Sequence, residues 1–577
     1  MASVTRRIAN AEIADRFARL ADLLELQDDN PFRVRAYRNA ARVISGLSRP
    51  LADLVAEEAD LEVLPGIGEA IAEKIHVIVE TGRLPALDEA AKKTPLVLTD
   101  LLRIPGLGPK RVKELYDSLD VKSGAELKQA AEDGRLAELP GFGEKLATKI
   151  ASALANLAEE QTRFRLADAE NLAQPLIEYL EKLPGVQRVV IAGSLRRRRE
   201  TVGDLDILVI AKNGRKILEK LAKFESVRDV VSLGDTRATV HIAMNLQVDV
   251  RVVAAVSFGA ALYYFTGSKA HNVAVRRIAQ EKKFKLNEYG LYRGEKRIAG
   301  KTEKELAKAL GLAWIPPELR ENTGEIEAAL RGKLPKLIEL SDLRGDLHSH
   351  TTATDGHDSL EDMAQAARER GYEYLAITDH TRSTRIANGL DPKRLRKELE
   401  AVDHLNEGFK DFRLLKSAET DILEDGSLDL PDDVLGELDF VLGTIHSHFE
   451  LSEAKQTRRL LKAFDNPLLS GLAHPTARQI GQREPIRFDI EKVFAAAAER
   501  HIFLEVNGQP ARLDLNDLHC RHAREMGVML AISSDSHSTS DLAKIRFAVD
   551  QARRGWIEAK DVINTRPLKE FLERLRS

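Results

Sequence analysis

The sequence predicts a multidomain protein with an α-helical front, an α/β middle and a β/α barrel at the rear. Three observations predict it. Residues 1–160 repeat a Pro-Gly-x-Gly element three times, at Leu64–Gly68, Ile104–Gly108 and Leu139–Gly143, each followed by an amphipathic, lysine-bearing helical stretch. Residues 161–255 alternate helical and strand patterns, with strands expected at Val189–Ile191, Leu205–Val209, Thr239–Ala243 and Gln247–Val253. From Arg344 onward, short apolar strands at Tyr374–Thr378, Phe440–Gly443, Gly471–Ala473, Phe503–Val506 and Met529–Ile532 alternate with helices, the rhythm of a β/α barrel. The expected divisions are 1–84 and 85–160 (helical), 161–255 (α/β), 256–315 (mixed), 316–342 (a linker opening on Trp314-Ile315-Pro316-Pro317) and 343–577 (barrel).

A chain of 577 residues, 43% apolar and 31% charged, has ample material for several cores. Its net charge of −4 hides an asymmetry: residues 1–340 are net basic and residues 341–577 net acidic. The front is therefore the better surface for a polyanion. Of 15 histidines, 12 follow residue 340. The single cysteine, Cys520, excludes an internal disulfide framework and a cysteine-rich zinc site. No secretory leader pattern and no long apolar run occurs, so the expectation is a cytoplasmic monomer without a membrane partner.

In each front repeat, Gly-x-Gly (Gly66 and Gly68, Gly106 and Gly108, Gly141 and Gly143) turns the chain into a helix N-terminus, where backbone N–H groups and the helix dipole can hold a phosphate. Such a grip ignores base sequence. A single copy reads equally well as a plain turn between helices, but three copies point to DNA-backbone binding. The repeats resemble helix-hairpin-helix motifs. Asn30–Ala41 and the first hairpin also resemble the small N-terminal domain of polymerase beta-like enzymes. That resemblance implies that Lys74 attacks an abasic sugar as a Schiff base, with Arg33 matching a phosphate-binding lysine and Tyr37 an active-site tyrosine, both at the DNA. The family's second lysine is Ala70 here, and a DNA-facing surface lysine is the alternative reading of Lys74.

The stretch Ala192–Val209 joins Gly-Ser, four arginines, a glycine and an Asp-x-Asp pair to an apolar strand. Strand alternation aims Asp204 and Asp206 at one spot, an arrangement that is costly without a cation. Gly193–Asp206, Val248–Arg251, Tyr264–Ser268 and Leu286–Tyr289 follow the order and spacing of the family X DNA polymerases, a resemblance covering about residues 1–315. It implies a nucleotidyltransferase (polymerase beta-like) palm in which Asp204, Asp206 and Asp249 hold two Mg2+ or Mn2+. It also implies that Ser194, Arg197 and the Gly203 N–H hold the triphosphate. Tyr264 and Phe265, with Gly267 and Ser268, would fit the deoxyribose, Asn272 would meet the nascent pair and Arg276 the template. Gln247, near the third aspartate, and Lys269, after Thr-Gly-Ser, depart from the family pattern.

At or just after the rear strands stand His348, His350, Asp355, His380, Glu419, His446, His474, Asp535 and His537, a set of N and O ligands without thiolate that suits about three metals. They resemble the polymerase-and-histidinol-phosphatase (PHP) superfamily over about residues 344–570, which implies a distorted β/α barrel and a phosphoesterase using Mn2+, Zn2+ or Fe. His357, His404, His448, His501, His519 and His522 fall outside the pattern. Arg478 and Arg483 read either as phosphate contacts or as structural ion pairs.

The leading expectation is a repair enzyme acting on gapped or primer-template DNA. It would add deoxynucleoside triphosphate units in short-gap filling and remove 3′-terminal groups at the rear site. Two readings compete: a rear domain that is a small-molecule phosphatase, and a DNA-binding scaffold with an inactive site.

Overall fold

The computed structural model describes residues 10–45, 51–56, 59–64, 67–102, 107–139, 142 and 163–575. The chain divides into two compact units, Met1–Arg163 with Asn322–Gly324, and Phe164–Glu321 with Glu325–Ser577.

The first unit is helical. Ile13, Phe17, Leu20 and Leu24 recur at helical spacing along Asn10–Leu26, so one face of that helix is apolar and buried. It shares one core with Ile44, Ile75, Ile78, Val112, Leu115 and Leu127. The boundary expected near residue 84 therefore does not divide that core. Helix Glu69–Thr81 stops at Gly82, whose φ of 68° is the left-handed cap that glycine adopts without strain. Of the hairpin glycines, Gly66, Gly106, Gly141 and Gly143 lie outside the described residues.

After helix Leu166–Glu181, the second unit forms a five-stranded sheet in the order Val186–Ile191, Asp204–Ala211, Gln247–Val253, Arg237–His241, Asp229–Leu233. Asp204–Ala211 runs parallel to Gln247–Val253 and antiparallel to Val186–Ile191. Its Leu205, Ile207 and Val209 face one core, while Leu208 meets Phe258 and Ala261 on the other face. Coverage on both faces explains its nearly continuous apolar run. Helices Phe258–Thr266 and Lys269–Glu281, a three-stranded sheet over Lys285–Ala299 and helix Glu303–Leu310 follow.

Segment 316–342 differs from the linker expected of it. Ile315, Leu319, Ile326, Ala329 and Leu337 enter a core with Trp556, and Arg320 is wholly buried. Arg320 donates to Glu303 at 2.6 Å and to the Ile315 carbonyl at 3.0 Å, and its guanidinium lies 4.4 Å from the Tyr263 ring centre. Pro316 and Pro317 set the turn at its start, and the apolar positions between polar ones pack.

The rear strands are all parallel. Gly345–Asp346, Tyr374–Ile377 and Arg413–Lys416 form one sheet; Glu419–Asp421, Val441–Thr444, Leu469–Leu472, Phe503–Asn507 and Leu530–Ser533 form the other. Bridges Ser349–Ser536 and His380–Glu419 join the two, which closes a distorted ring. Helix Leu568–Leu575 plugs one end with Phe571, stacked 5.2 Å from Tyr374 at the start of its strand. The other end, where the strands finish, is left for chemistry.

Palm and barrel are docked within this unit. Leu513 and Phe547 of the barrel belong to the core of the five-stranded sheet. Arg198 pairs with Glu170 and Asp550, and Arg478 with Glu200 at 2.6 Å. Among the described residues no helix is long and apolar enough to cross a membrane.

Candidate active sites

In the palm, strand register places Asp206 beside Asp249 and Asp204 beside Gln247, so the three carboxylates gather at one sheet end. Burial, then the neighbouring Asp204 and Asp249, push the Asp206 carboxyl up to about 7. Burial also opposes charge on Asp249, but hydrogen bonds from Thr239 and Arg237 outweigh it and hold this carboxyl below its ordinary value. Thr239 donates at 2.6 Å, Arg237 at 2.8 Å and Gln247 at 3.2 Å. Arg237 is a residue that sequence reasoning missed. The only signal is register, because Thr239 pairs with Asp249 across antiparallel strands. Gln247 thus steadies the carboxylate it neighbours. Gly193 has a φ of 62°, and a Cβ there would come within 2.4 Å of an Asp206 oxygen. Only glycine allows that approach.

The arginine run is largely committed to structure. Arg196 forks onto Glu303 at 2.7 and 2.8 Å and donates to Thr266 Oγ1 at 2.7 Å. Arg197, expected at the triphosphate, gives Nε to Glu321 at 2.9 Å and Nη1 to the Thr266 carbonyl at 2.8 Å. Arg554 of the barrel completes the arrangement, donating to the Arg197 carbonyl at 2.8 Å and to Glu321 at 3.2 Å. Ser194 sits in the short helix Gly193–Arg196, and Gly203 is exposed just before Asp204.

Asn272 donates to the carbonyls of Tyr264 (2.7 Å) and Gly267 (3.0 Å), holding the bend after helix Phe258–Thr266. A Cβ on Gly267 would lie 2.8 Å from Asn272. Ser268 caps the next helix by accepting from His271 N. Tyr264 meets Phe265 edge-on at 5.0 Å; Arg276 lies over Tyr264 and Arg251 over Phe265. Behind them His271, unforeseen, is buried between Tyr263 and Glu325.

In the helical unit, Gly68 and Gly108 cap the helices that follow them, both with extended backbone, and a Cβ on either would touch nothing within 4 Å. Their own packing does not require glycine. Lys74 Nζ donates to the Ala70 carbonyl and Arg33 pairs with Asp29. Tyr37 corrects the expectation of a DNA contact: it is 7% exposed, its ring stacked on Phe17, because it lies on the inner face of its helix.

At the barrel mouth, all nine expected residues converge. Three groupings have ligand atoms within 4.8 Å of one another: His350, Asp355, His380 and His537; His348, His350 and Asp535; and His380, Glu419 and His446. His474 joins through Glu419, at 2.8 Å. Glu419 is central, with Oε2 2.9 Å from His380 and Oε1 3.3 Å from His446. Buried ring nitrogens of His348 (Nε2) and His350 (both) make no hydrogen bond, and His380 Nδ1 faces Glu419 without hydrogen-bond geometry. Such orphans fit metal ligation, so the residues present suit a multinuclear centre. Burial, then the neighbouring His380, bring His350 down to about 4; burial, then Arg512, does the same for His474. His380 is opposed by burial yet held up at about 10 by Glu419 and Asp355. Glu505, missed in the sequence, accepts from His348 Nδ1 at 2.8 Å and from the His474 N–H at 2.6 Å, turning the other ring nitrogen of His348 inward. Arg478 is taken up by Glu200 and the carbonyls of Arg512 and Leu513, whereas Arg483 lines the cavity at the cluster.

Family models match four parts of the chain: a helix-hairpin-helix domain over 8–84, a tandem helix-hairpin-helix over 98–156, the DNA polymerase beta thumb over 261–321 and the PHP domain over 346–509. The chain is 38% identical over 563 residues to the DNA polymerase/3′-5′ exonuclease PolX of Bacillus subtilis, covering 96% of this chain and 98% of that one. A probable phosphatase of Thermoanaerobacter sp. is 30% identical over 247 residues, 40% of this chain and 94% of its own. A probable phosphatase of Acetivibrio thermocellus is likewise 30% identical, over 209 residues, 34% of this chain and 81% of its own. Likeness over nearly the full length of both chains, with hairpins, palm carboxylates and a histidine-rich barrel in one order, settles the kinship: the chain belongs to the bacterial PolX-type family X DNA polymerases.

Proposed function

We propose that this chain extends a DNA primer at the palm and removes 3′-terminal nucleotides at the barrel, serving short-gap repair. The observation that carries the reading is two separate ligand-rich centres within one compact unit, in a chain that is 38% identical to a polymerase/exonuclease.

At the palm, Asp204, Asp206 and Asp249 would hold two Mg2+ or Mn2+, which when bound activate the primer hydroxyl and neutralise the leaving pyrophosphate. Arg237, Thr239 and Gln247 keep Asp249 ionised and aimed. Arg197, with Ser194 and the Gly203 N–H, receives the triphosphate once Glu321 yields its guanidinium. The Asn272-held bend presents Tyr264 and Phe265 to the sugar. Gly68 and Gly108 leave room for a phosphate at two helix N-termini. Lys74 is the candidate for Schiff-base chemistry at an abasic end, which borohydride trapping tests.

At the barrel, the nine ligands would hold about three ions, Mn2+, Zn2+ or Fe, which when bound supply an activated water and polarise the phosphoryl oxygen. Substrate is positioned by Arg483 and Arg512 at the cavity. A second reading, a small-molecule phosphatase at this site, is favoured by the probable phosphatases whose length matches this region. An end-labelled gapped duplex incubated in manganese with and without deoxynucleotides separates the two. Extension with nucleotides and a descending ladder without them is expected. Intact 3′ ends alongside hydrolysis of small phosphomonoesters would overturn the exonuclease.

A further inference from the structure

We propose that Ile386 and Phe449 form a nucleobase platform beside the rear metal cluster, so that this site grips the last nucleotide of a single DNA strand by its base as well as its phosphate. The inference rests on the exonuclease reading above and names its substrate contact. Ile386 is 100% exposed, the most exposed large apolar side chain among the described residues. Lone exposed apolar residues are ordinary, but this one shares a cavity of about 660 Å3 with Phe449, Arg483, Arg512, His380 and His446. That volume lies within the range of small-molecule sites.

The loop carrying it is braced, not slack. Leu390 N donates to the His380 carbonyl at 2.7 Å, Thr381 to Asp429 at 2.7 Å and Thr384 to Asp421 at 2.6 Å. Arg394 donates to the Asn388 and Gly389 carbonyls from below. Gly389 lies so close to Thr381 that a Cβ would fall 2.0 Å from its carbonyl oxygen. An apolar tip is thus held in water at fixed distance from the cluster. In the same cavity the Arg483 guanidinium covers one face of the partly buried Phe449 ring, 4.0 Å from its centre, so a base meets this stacked pair, and Arg512 has a buried Nη1 with no hydrogen-bond partner that can serve a phosphate oxygen. Stacking of a base on an aromatic or guanidinium face is tolerant of sequence, and Ile386 adds an apolar contact to the base.

The test uses the full chain in manganese and two end-labelled single strands, one ending in an ordinary nucleotide and one whose last sugar lacks its base. Ile386→Ala, at a fully exposed position, is expected to cut kcat/KM about tenfold on the ordinary strand, the worth of roughly 1.4 kcal/mol of apolar contact with the base, with less than a twofold effect on the base-less strand. Phe449→Ala is expected to repeat this selectivity. Equal losses on both strands, or no loss on either, overturn the platform while leaving the exonuclease standing. A wild-type protein that shortens neither strand overturns the exonuclease reading itself, and the platform with it.

Discussion

The two centres hold charge in opposite ways. The palm uses carboxylates alone at an open sheet end, and Asp206 sits at about 7 because burial and two neighbouring carboxylates disfavour its ionisation. The barrel interleaves histidines with Glu419 and Asp535, whose carboxyls stay well below their ordinary values against burial because imidazoles surround them. In the first centre the carboxylates crowd one another, with Asp249 paired to Arg237; in the second, imidazoles offset the carboxylates they touch. A polymerase that must release pyrophosphate each cycle suits the first design, and a resident hydrolytic centre the second.

The sharpest way to break this comparison is to remove one centre. Asp206→Ala is expected to lower nucleotide addition at least ~1000-fold with 3′ degradation retained, and His348→Ala the reverse; parallel loss of both in either variant, in folded protein, would mean one shared site. Next in size, Glu505→Leu removes the acceptor that orients His348. It should weaken metal retention at the barrel about 10–100-fold, measured as metal per chain after dialysis, with primer extension unchanged. Unaltered metal content would show that burial alone orients the ring.

The pH dependence should differ too. Asp206, raised from an ordinary value near 4 to about 7, is protonated below that point, and a cation must displace the proton. The magnesium needed for half-maximal extension is therefore expected to rise about tenfold per unit as pH falls below 7. In the metal-free protein the sign reverses for stability. The protonated form is favoured by folding, so its contribution is full below about 4 and lost as pH rises through 7. Asp206→Asn should then raise Tm more at pH 8 than at pH 5. A flat magnesium requirement between pH 6 and 8 would place Asp206 near its ordinary value. The smallest effect concerns the link between centres: Glu321→Gln weakens the hold that Arg554 and Arg197 share. It is expected to change KM for the nucleotide about threefold with 3′ degradation unaltered; a change in degradation alone would assign Glu321 to the barrel.

Much of the palm was legible because strand period decides which side chains share a face. Asp204 and Asp206 needed only that rule, whereas Asp249 came from the family resemblance and the strand register places it beside Asp206. The barrel ligands were legible as residues at strand ends, and the ring geometry brings them together. Tyr37 was misplaced because its role was taken from a resemblance while its ring lies in the helix core. Arg237, Glu505 and Glu321 were invisible because their partners lie across strands or far along the chain, where no local period points. Segment 316–342 looked like a linker for its prolines and charge, yet Arg320 and Glu325 are buried by partners that only folding supplies.

By itself, the sequence determined the element types, the hairpin repeats and the two sets of metal-capable side chains, since helical and strand periods act over a few residues. Only the tertiary structure decided that the arginines after Ser194 are mostly spoken for. It also showed that the barrel's Arg554 and Asp550 reach the palm and that Ile386 stands bare beside the cluster. Those outcomes depend on which distant surfaces dock and what each buried charge then finds, and that is settled by packing over the whole unit.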